Sequence, residues 1–151
     1  MVEKIAWKML KTFGRYWSQR GWWVKMRYTP NLIRGCHLME WCWTPFKKTV
    51  SVNGHTGRVI IKRNYGGEGV DVAKVAKDPK PWLKAVTVMF KREYGYDPEN
   101  QNWFWAKFKP NGSLHSNPKK MLLAGRVAKG MPKGCIACHK AAPGGDYLFN
   151  E

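Results

Sequence analysis

The sequence predicts an α+β fold: a small antiparallel β-sheet packed with an N-terminal helix and a short C-terminal helical turn. Three observations predict it. Apolar residues near the N-terminus recur at helical spacing, β-branched and aromatic runs follow between about 47 and 109, and turn-forming residues separate those runs. The 151 residues suit a single domain, 1–151, and a hydrophobic content of 44% supports a packed core.

In chain order, residues 2–17 place Ile5, Met9, Leu10, Phe13 and Trp17 on one face of an amphipathic helix whose outer face is basic. Residues 18–35 read as irregular, punctuated by Gly21, Pro30 and Gly35. Residues 47–53 alternate, Gly54 to Gly57 reads as a turn, and 58–65 is β-branched and apolar, which makes a hairpin. The Gly- and Pro-rich stretch 66–81 is a loop with a helical turn around 70–77. Residues 84–93 form a strand, 94–102 carry turn chemistry around Asp97-Pro98, and 103–109 form a strand ended by Pro110-Asn111-Gly112. These last two strands pair antiparallel. Residues 113–134 look loop-like, basic and with room for a short turn, and 135–142 form one or two helical turns that Pro143-Gly144-Gly145 stops.

The charge is lopsided, with 27 Lys and Arg against 10 Asp and Glu, a formal +17. Such a field suits nucleic acid, an anionic membrane surface or an acidic protein. No run approaches the roughly 18 apolar residues of a membrane span, so no transmembrane segment is expected. Lys8, Lys11, Arg15 and Arg20 interrupt the N-terminal region, so it does not read as a clean signal peptide. An exported protein would already have lost its leader. The nine Trp residues exceed what packing needs and suit the walls of a flat aromatic cofactor, although plain core packing explains them too.

The sharpest signal is Cys135-Ile136-Ala137-Cys138-His139. Two thiols three positions apart reach the two vinyl groups of one haem, and the His that follows falls under the iron as its axial ligand. This is the pattern of a single, covalently attached haem c. Three alternatives stay open: a zinc site completed by Cys36 or Cys42, a thioredoxin-like redox pair, and a disulfide. Adjacent Cys and His rarely point at one metal, and the motif's late position does not suit a thioredoxin-like order. Cys36 and Cys42 either pair in an oxidising compartment or stay as buried thiols. Twelve residues follow His139, none of them Met or His. A sixth iron ligand therefore comes from upstream or is absent, and an iron open on its distal face binds small molecules.

Three segments together resemble the cytochrome P-460 family, which includes the cytochrome c′-beta proteins. They are Gly57-Arg58-Val59-Ile60-Ile61-Lys62; Val86 to Arg92 with Gly95-Tyr96-Asp97-Pro98 and Asn102-Trp103; and Gly134 to Lys140. The resemblance runs from about residue 50 to the end. It implies an antiparallel sheet packed on helices, a homodimer, and a periplasmic location. It implies one of two activities: hydroxylamine oxidation, with a Lys at the position of Lys62 bonded to the haem edge, or binding of nitric oxide or carbon monoxide in an apolar distal pocket. The cross-linked enzymes carry a distal Glu. Matching on Lys91 puts Thr87 there, and a slip of two gives Met89, neither of which is an acid. The distal Phe of the gas binders falls at Gly54, beside His55, which makes His55 a distal candidate or a turn residue. Arg58 and Ile60 share a strand face with Lys62, and Thr87 shares one with Met89. Phe90, Trp103 and Trp105 are candidates for the pocket wall. The expected partners are a small nitrogenous or gaseous ligand and an acidic redox protein, with no specific nucleic acid. The alternative is an electron-transfer cytochrome c with six-coordinate iron.

Overall fold

The computed structural model describes residues 41–42, 46–130, 134–142 and 145–148. The helix expected over 2–17, the irregular stretch 18–35 and Cys36 lie outside the described residues. Among the described residues no helix is long and apolar enough to cross a membrane.

The centre of the fold is an antiparallel five-stranded sheet in the order β1-β3-β4-β5, with β2 also paired to β3. The strands are β1 (Trp41–Cys42), β2 (Phe46–Val52), β3 (His55–Tyr65), β4 (Leu83–Lys91) and β5 (Trp103–Phe108). Strands β1 and β2 share one edge of β3: β1 pairs with residues 64–65 and β2 with 55–61. The two strands expected around 84–93 and 103–109 pair as anticipated. The first hairpin turns earlier than Gly54–Gly57. Asn53 and Gly54 are its two central residues, with φ of 52° and 81°. Two successive positive φ values match the right-handed twist of flanking strands, and Asn-Gly is the dipeptide that adopts them most readily. Thus His55 to Gly57 lies in β3, not in the turn.

The connection after β3 contains α1 (Val72–Lys77), whose N-cap Asp71 accepts a 2.8 Å hydrogen bond from the Lys74 backbone N–H. A 3₁₀ turn, Pro98–Asn100, sits between β4 and β5. The stretch expected to be loop holds α2 (Arg126–Lys129), bracketed by Gly125 and Gly130 at φ of 58° and 60°. One helical turn is too short to display a 3.6-residue period, so only its flanking glycines mark it. The C-terminal helix α3 (Cys135–His139) forms as expected.

Strand alternation sends side chains to two faces, each with its own core. One face buries Val59, Val86, Val88, Phe90, Phe104, Ala106 and Phe108. The other buries Ile60, Met89, Trp103 and Trp105 beneath Ala128 of α2, Ile136 of α3 and Leu148. Registers align this second face in rows: Ile60, Met89 and Trp105 lie side by side, and Lys62, Thr87 and Lys107 form the next row. Helix α3 rests on it through Ile136, which is 1% exposed. Fully burying such a side chain stabilises by about 1.5–3 kcal/mol.

Candidate functional site

Helix α3 turns the spacing of its sequence into geometry. Cys135, Cys138 and His139 stand at i, i+3 and i+4, so one helical face presents all three. Ile136, about a quarter turn from Cys135, anchors the helix in the core. Both cysteines are half-buried thiols. Burial pushes the Cys135 thiol above its ordinary pKa, against the nearby charges of Lys107 and Lys62.

His139 is fixed from two sides. Its Nδ1 donates a 2.7 Å hydrogen bond to the Tyr147 carbonyl oxygen. Its ring meets Trp105 edge-on, with centroids 4.9 Å apart. Burial depresses its pKa, the carbonyl of Tyr147 opposes that shift, and the Lys62 charge adds to it. The imidazole is therefore neutral at pH 7, with its proton on Nδ1. In that tautomer Nε2 carries the lone pair that a metal takes, and a carbonyl on the other nitrogen is the usual support of a ligating histidine.

The segment supplying that carbonyl is tied to the sheet. Trp103 Nε1 donates to the Asp146 carbonyl at 3.0 Å, and Arg58 pairs with the Asp146 carboxylate at 3.2 Å. The Tyr147 hydroxyl donates to the Glu99 carbonyl at 3.3 Å. Arg58 and Lys91 also lie over the Trp103 ring, 5.6 and 4.9 Å from its centroid. Burial depresses the Lys91 pKa and the Arg58 charge deepens the shift, while Asp146 opposes it.

The sheet face under α3 carries most of the residues singled out from sequence. Lys62 lies on it, half-buried, and its charge acts on both Cys135 and His139. Thr87 is its register partner. The Thr87 hydroxyl accepts from Asn64 Nδ2 at 3.3 Å and lies 3.5 Å from the Lys62 carbonyl, to which it donates. Met89 is 5% exposed and packs in the same cluster as Ile136. His55 and Phe90 are not brought here. Beginning β3 at residue 55 gives His55 the parity of Val59, on the opposite face. There its ring meets Phe90 edge-on at 5.8 Å, and its Nε2 donates to the Lys91 carbonyl at 3.0 Å. It lines a shallow pocket with Val52, Arg92 and Glu93.

Sequence reasoning passed over Asn64, Lys107, Asp146 and Tyr147. The first two were findable, since both share strand parity with this face. The last two were not, because Tyr147 acts through its backbone and Asp146 partly so.

The site fits a haem. It offers two thiols and a tautomer-fixed imidazole on one helix face, beside a wall of buried indole. It also holds an unsatisfied donor: Trp105 Nε1 is buried and has no hydrogen-bond partner among the described residues. Among those residues no cluster of three or more His, Cys, Asp or Glu is placed to hold a bare metal ion.

No curated protein and no solved structure matches the chain. The family model described as Cytochrome P460 matches residues 43–150, well over half of it. The chain belongs to the cytochrome P460 family, and membership implies haem binding.

Proposed function

We propose that this protein is a monohaem c-type cytochrome that binds or oxidises small nitrogen species, nitric oxide or hydroxylamine, at an open distal haem face. One observation carries the reading: α3, which presents Cys135, Cys138 and His139, packs on the sheet face that bears Lys62. Cys135 and Cys138 would hold the haem through thioethers, and His139 would offer a nitrogen to its iron. The group supplies a redox-active iron with a coordination position for a small ligand. Tyr147 keeps the proton on Nδ1 of His139, Trp105 shields the imidazole from water, and Lys62, on the same sheet face, is the candidate for a bond to the haem.

Thr87 and Met89 weigh on the choice of activity. Oxidising hydroxylamine requires a base to take its protons, and neither side chain is one. Ligand binding is therefore the favoured branch, and the Lys62 bond would restore the oxidative one. The family's setting adds a periplasmic location and a homodimer, and the +17 charge suits an acidic redox partner. A six-coordinate electron-transfer cytochrome is the second reading, and the place of Met89 on this face favours it.

An optical spectrum of protein co-expressed with haem-maturation machinery separates these, beside a haem-stained denaturing gel. Five-coordinate c-type bands support ligand binding, a red-shifted ferrous Soret band supports the cross-linked enzyme, and low-spin six-coordinate bands support electron transfer. Absence of haem on the gel refutes covalent attachment. Lys62→Ala should change both the spectrum and the intact mass beyond the substitution itself if the cross-link exists; an unchanged spectrum refutes the bond.

A further inference from the structure

The positive charge of this chain is concentrated. Between Glu99 and Asp146 it carries eight Lys and Arg and no Asp or Glu: two on or just after β5, two in the loop that follows, two on α2 and two flanking α3 in sequence. Among the described residues only Lys129 of these is ion-paired, to Asp97. The same region holds exposed apolar side chains. Four large ones are exposed among the described residues, and Met121, Leu122 and Val127 fall here, at 46%, 41% and 36%. The chain that presents them is firmly built. Ser116 and Leu122 bridge antiparallel. Asn117 closes the turn between them: its backbone N–H donates to the Met121 carbonyl at 2.9 Å, and its side-chain oxygen accepts from the Met121 N–H at 3.0 Å. Both arms bond to β5, the His115 N–H to the Lys107 carbonyl and the Lys107 N–H to the Leu123 carbonyl, each at 2.9 Å. Leu123 turns inward and packs against the cluster of Trp105 and Ile136, as Cys135 does. The stretch 119–127, where Lys119, Lys120, Met121, Leu122, Arg126 and Val127 are exposed, is thus held in place near α3.

We propose that the stretch from Lys119 to Val127 is a docking surface for an acidic electron-transfer protein. The inference deepens the haem reading above and rests on it. Charge names the partner: carboxylates on its face meet Lys119, Lys120 and Arg126, while Met121, Leu122 and Val127 leave water against its apolar centre. The charges steer the encounter, and the apolar contact holds it. A second copy of this chain would bring like charges to the same place, which opposes contact. The stretch contains no Trp, Tyr or Phe. Those are the side chains that anchor at a membrane interface and stack on bases, so lipid and single-stranded nucleic acid match it less well. Three exposed aliphatic side chains make a small contact, which suits the brief complexes of electron carriers, burying less than about 1,200 Å². A turn already fixed by its own hydrogen bonds loses little freedom on docking. Because Leu123 and Cys135 pack against one cluster, a protein docked on this stretch lies near the helix that bears Cys135.

The test uses the ferric holoprotein, with covalent haem first established on a denaturing gel. The probe is a reduced plant-type [2Fe–2S] ferredoxin, an acidic protein. It gives up one electron and the haem iron passes from ferric to ferrous, with no proton or group transferred. Stopped-flow absorbance in the Soret region reads the rate. The double variant Lys119→Glu with Lys120→Glu should slow it by roughly tenfold or more at low ionic strength. The salt dependence should flatten, and reduction by dithionite should stay unchanged. Lys77→Glu with Lys80→Glu, both exposed at α1 and just after it, makes the same change of net charge and should slow the reaction far less. Equal slowing in both doubles, or slowing in neither, overturns the proposal while leaving the haem reading intact. If the ferredoxin rate is unchanged in the first double but its binding to anionic phospholipid vesicles is lost, the stretch belongs to a membrane contact. If instead a wild-type dimer dissociates in that double, it belongs to a second copy. Either outcome overturns the proposal. Protein that never acquires haem overturns both readings.

Discussion

Replacing Gly134 by Ala tests how closely the helix that carries Cys135, Cys138 and His139 is seated. Gly134 immediately precedes α3 and meets Gly130, just past the end of α2. Its φ is −97°, so no left-handed strain complicates the substitution. A methyl there would collide with backbone: the Lys129 carbonyl oxygen, and the Gly130 Cα at 2.5 Å, where ordinary contact begins near 3.4 Å. The two segments would have to part by roughly 1 Å, since neither contact is a flexible side-chain end that can swing away. Overpacking of this kind costs about 1–3 kcal/mol. For a domain of this length that lowers the unfolding midpoint by roughly 2–12 °C. Far-ultraviolet circular dichroism of the holoprotein during heating reads it directly. The separation also moves Cys135 relative to Trp105 and Lys62, so the haem-stained fraction should fall. Gly54→Ala is the contrast: its Cβ meets nothing within 4 Å, but its φ is +81°. It should cost only the left-handed conformation, about 1–2 kcal/mol, and leave haem attachment unchanged. A midpoint for Gly134→Ala within about 1 °C of wild type would refute the close approach of α2 and α3.

Two further perturbations probe what frames the site. Asp97 and Lys129 form an ion pair at 2.8 Å, with side chains 17% and 16% exposed, joining the β4–β5 connection to α2. Burial pushes the Asp97 carboxyl up, but hydrogen bonds from Lys129 and Asn100 outweigh it and leave the pKa below the ordinary value. Because the folded pKa lies below the unfolded one, this stabilisation is present above about pH 4 and lost as pH falls through the folded value. Asp97→Asn should therefore cost about 1–3 kcal/mol at pH 7, and urea titrations should show the gap to wild type closing on acidification. Asn53 holds φ of 52° in the first hairpin. Asn53→Val should lose about 1–2 kcal/mol in the same assay, and Asn53→Gly should be nearly neutral.

The sequence made the four longer strands, the antiparallel pairing within their two hairpins and the short helix at Cys135–His139 legible, because each shows as local spacing or a two-residue period. The first turn was misplaced although its signal was present: Asn53-Gly54 is a stronger turn former than the Gly54–Gly57 pair of glycines. That shift of register decided the face of His55, since side chains alternate at every residue. Helix α2 was hidden by its brevity. The proximity of Gly130 to Gly134 has no periodic signature, and neither does the docking of Asp146 and Tyr147 on β3 and β5, which depends on chain segments far apart in sequence. Lys62 beside the anchor was reached through resemblance. Strand parity gave its face, but not the arrival of α3 above that face.

The carbonyl that fixes His139 has a genetic consequence. A hydrogen bond supplied by backbone cannot be deleted outright by changing the side chain at 147; such a change reaches the imidazole only through the ring's packing and its hydroxyl bond to the Glu99 carbonyl. What must be preserved is the conformation of the segment, including the left-handed Tyr147 at φ 63°. That conformation is held from a distance by Arg58, Trp103 and the Glu99 carbonyl. Substitutions that disturb the histidine should therefore map to strands β3 and β5, far along the chain from the residue they affect.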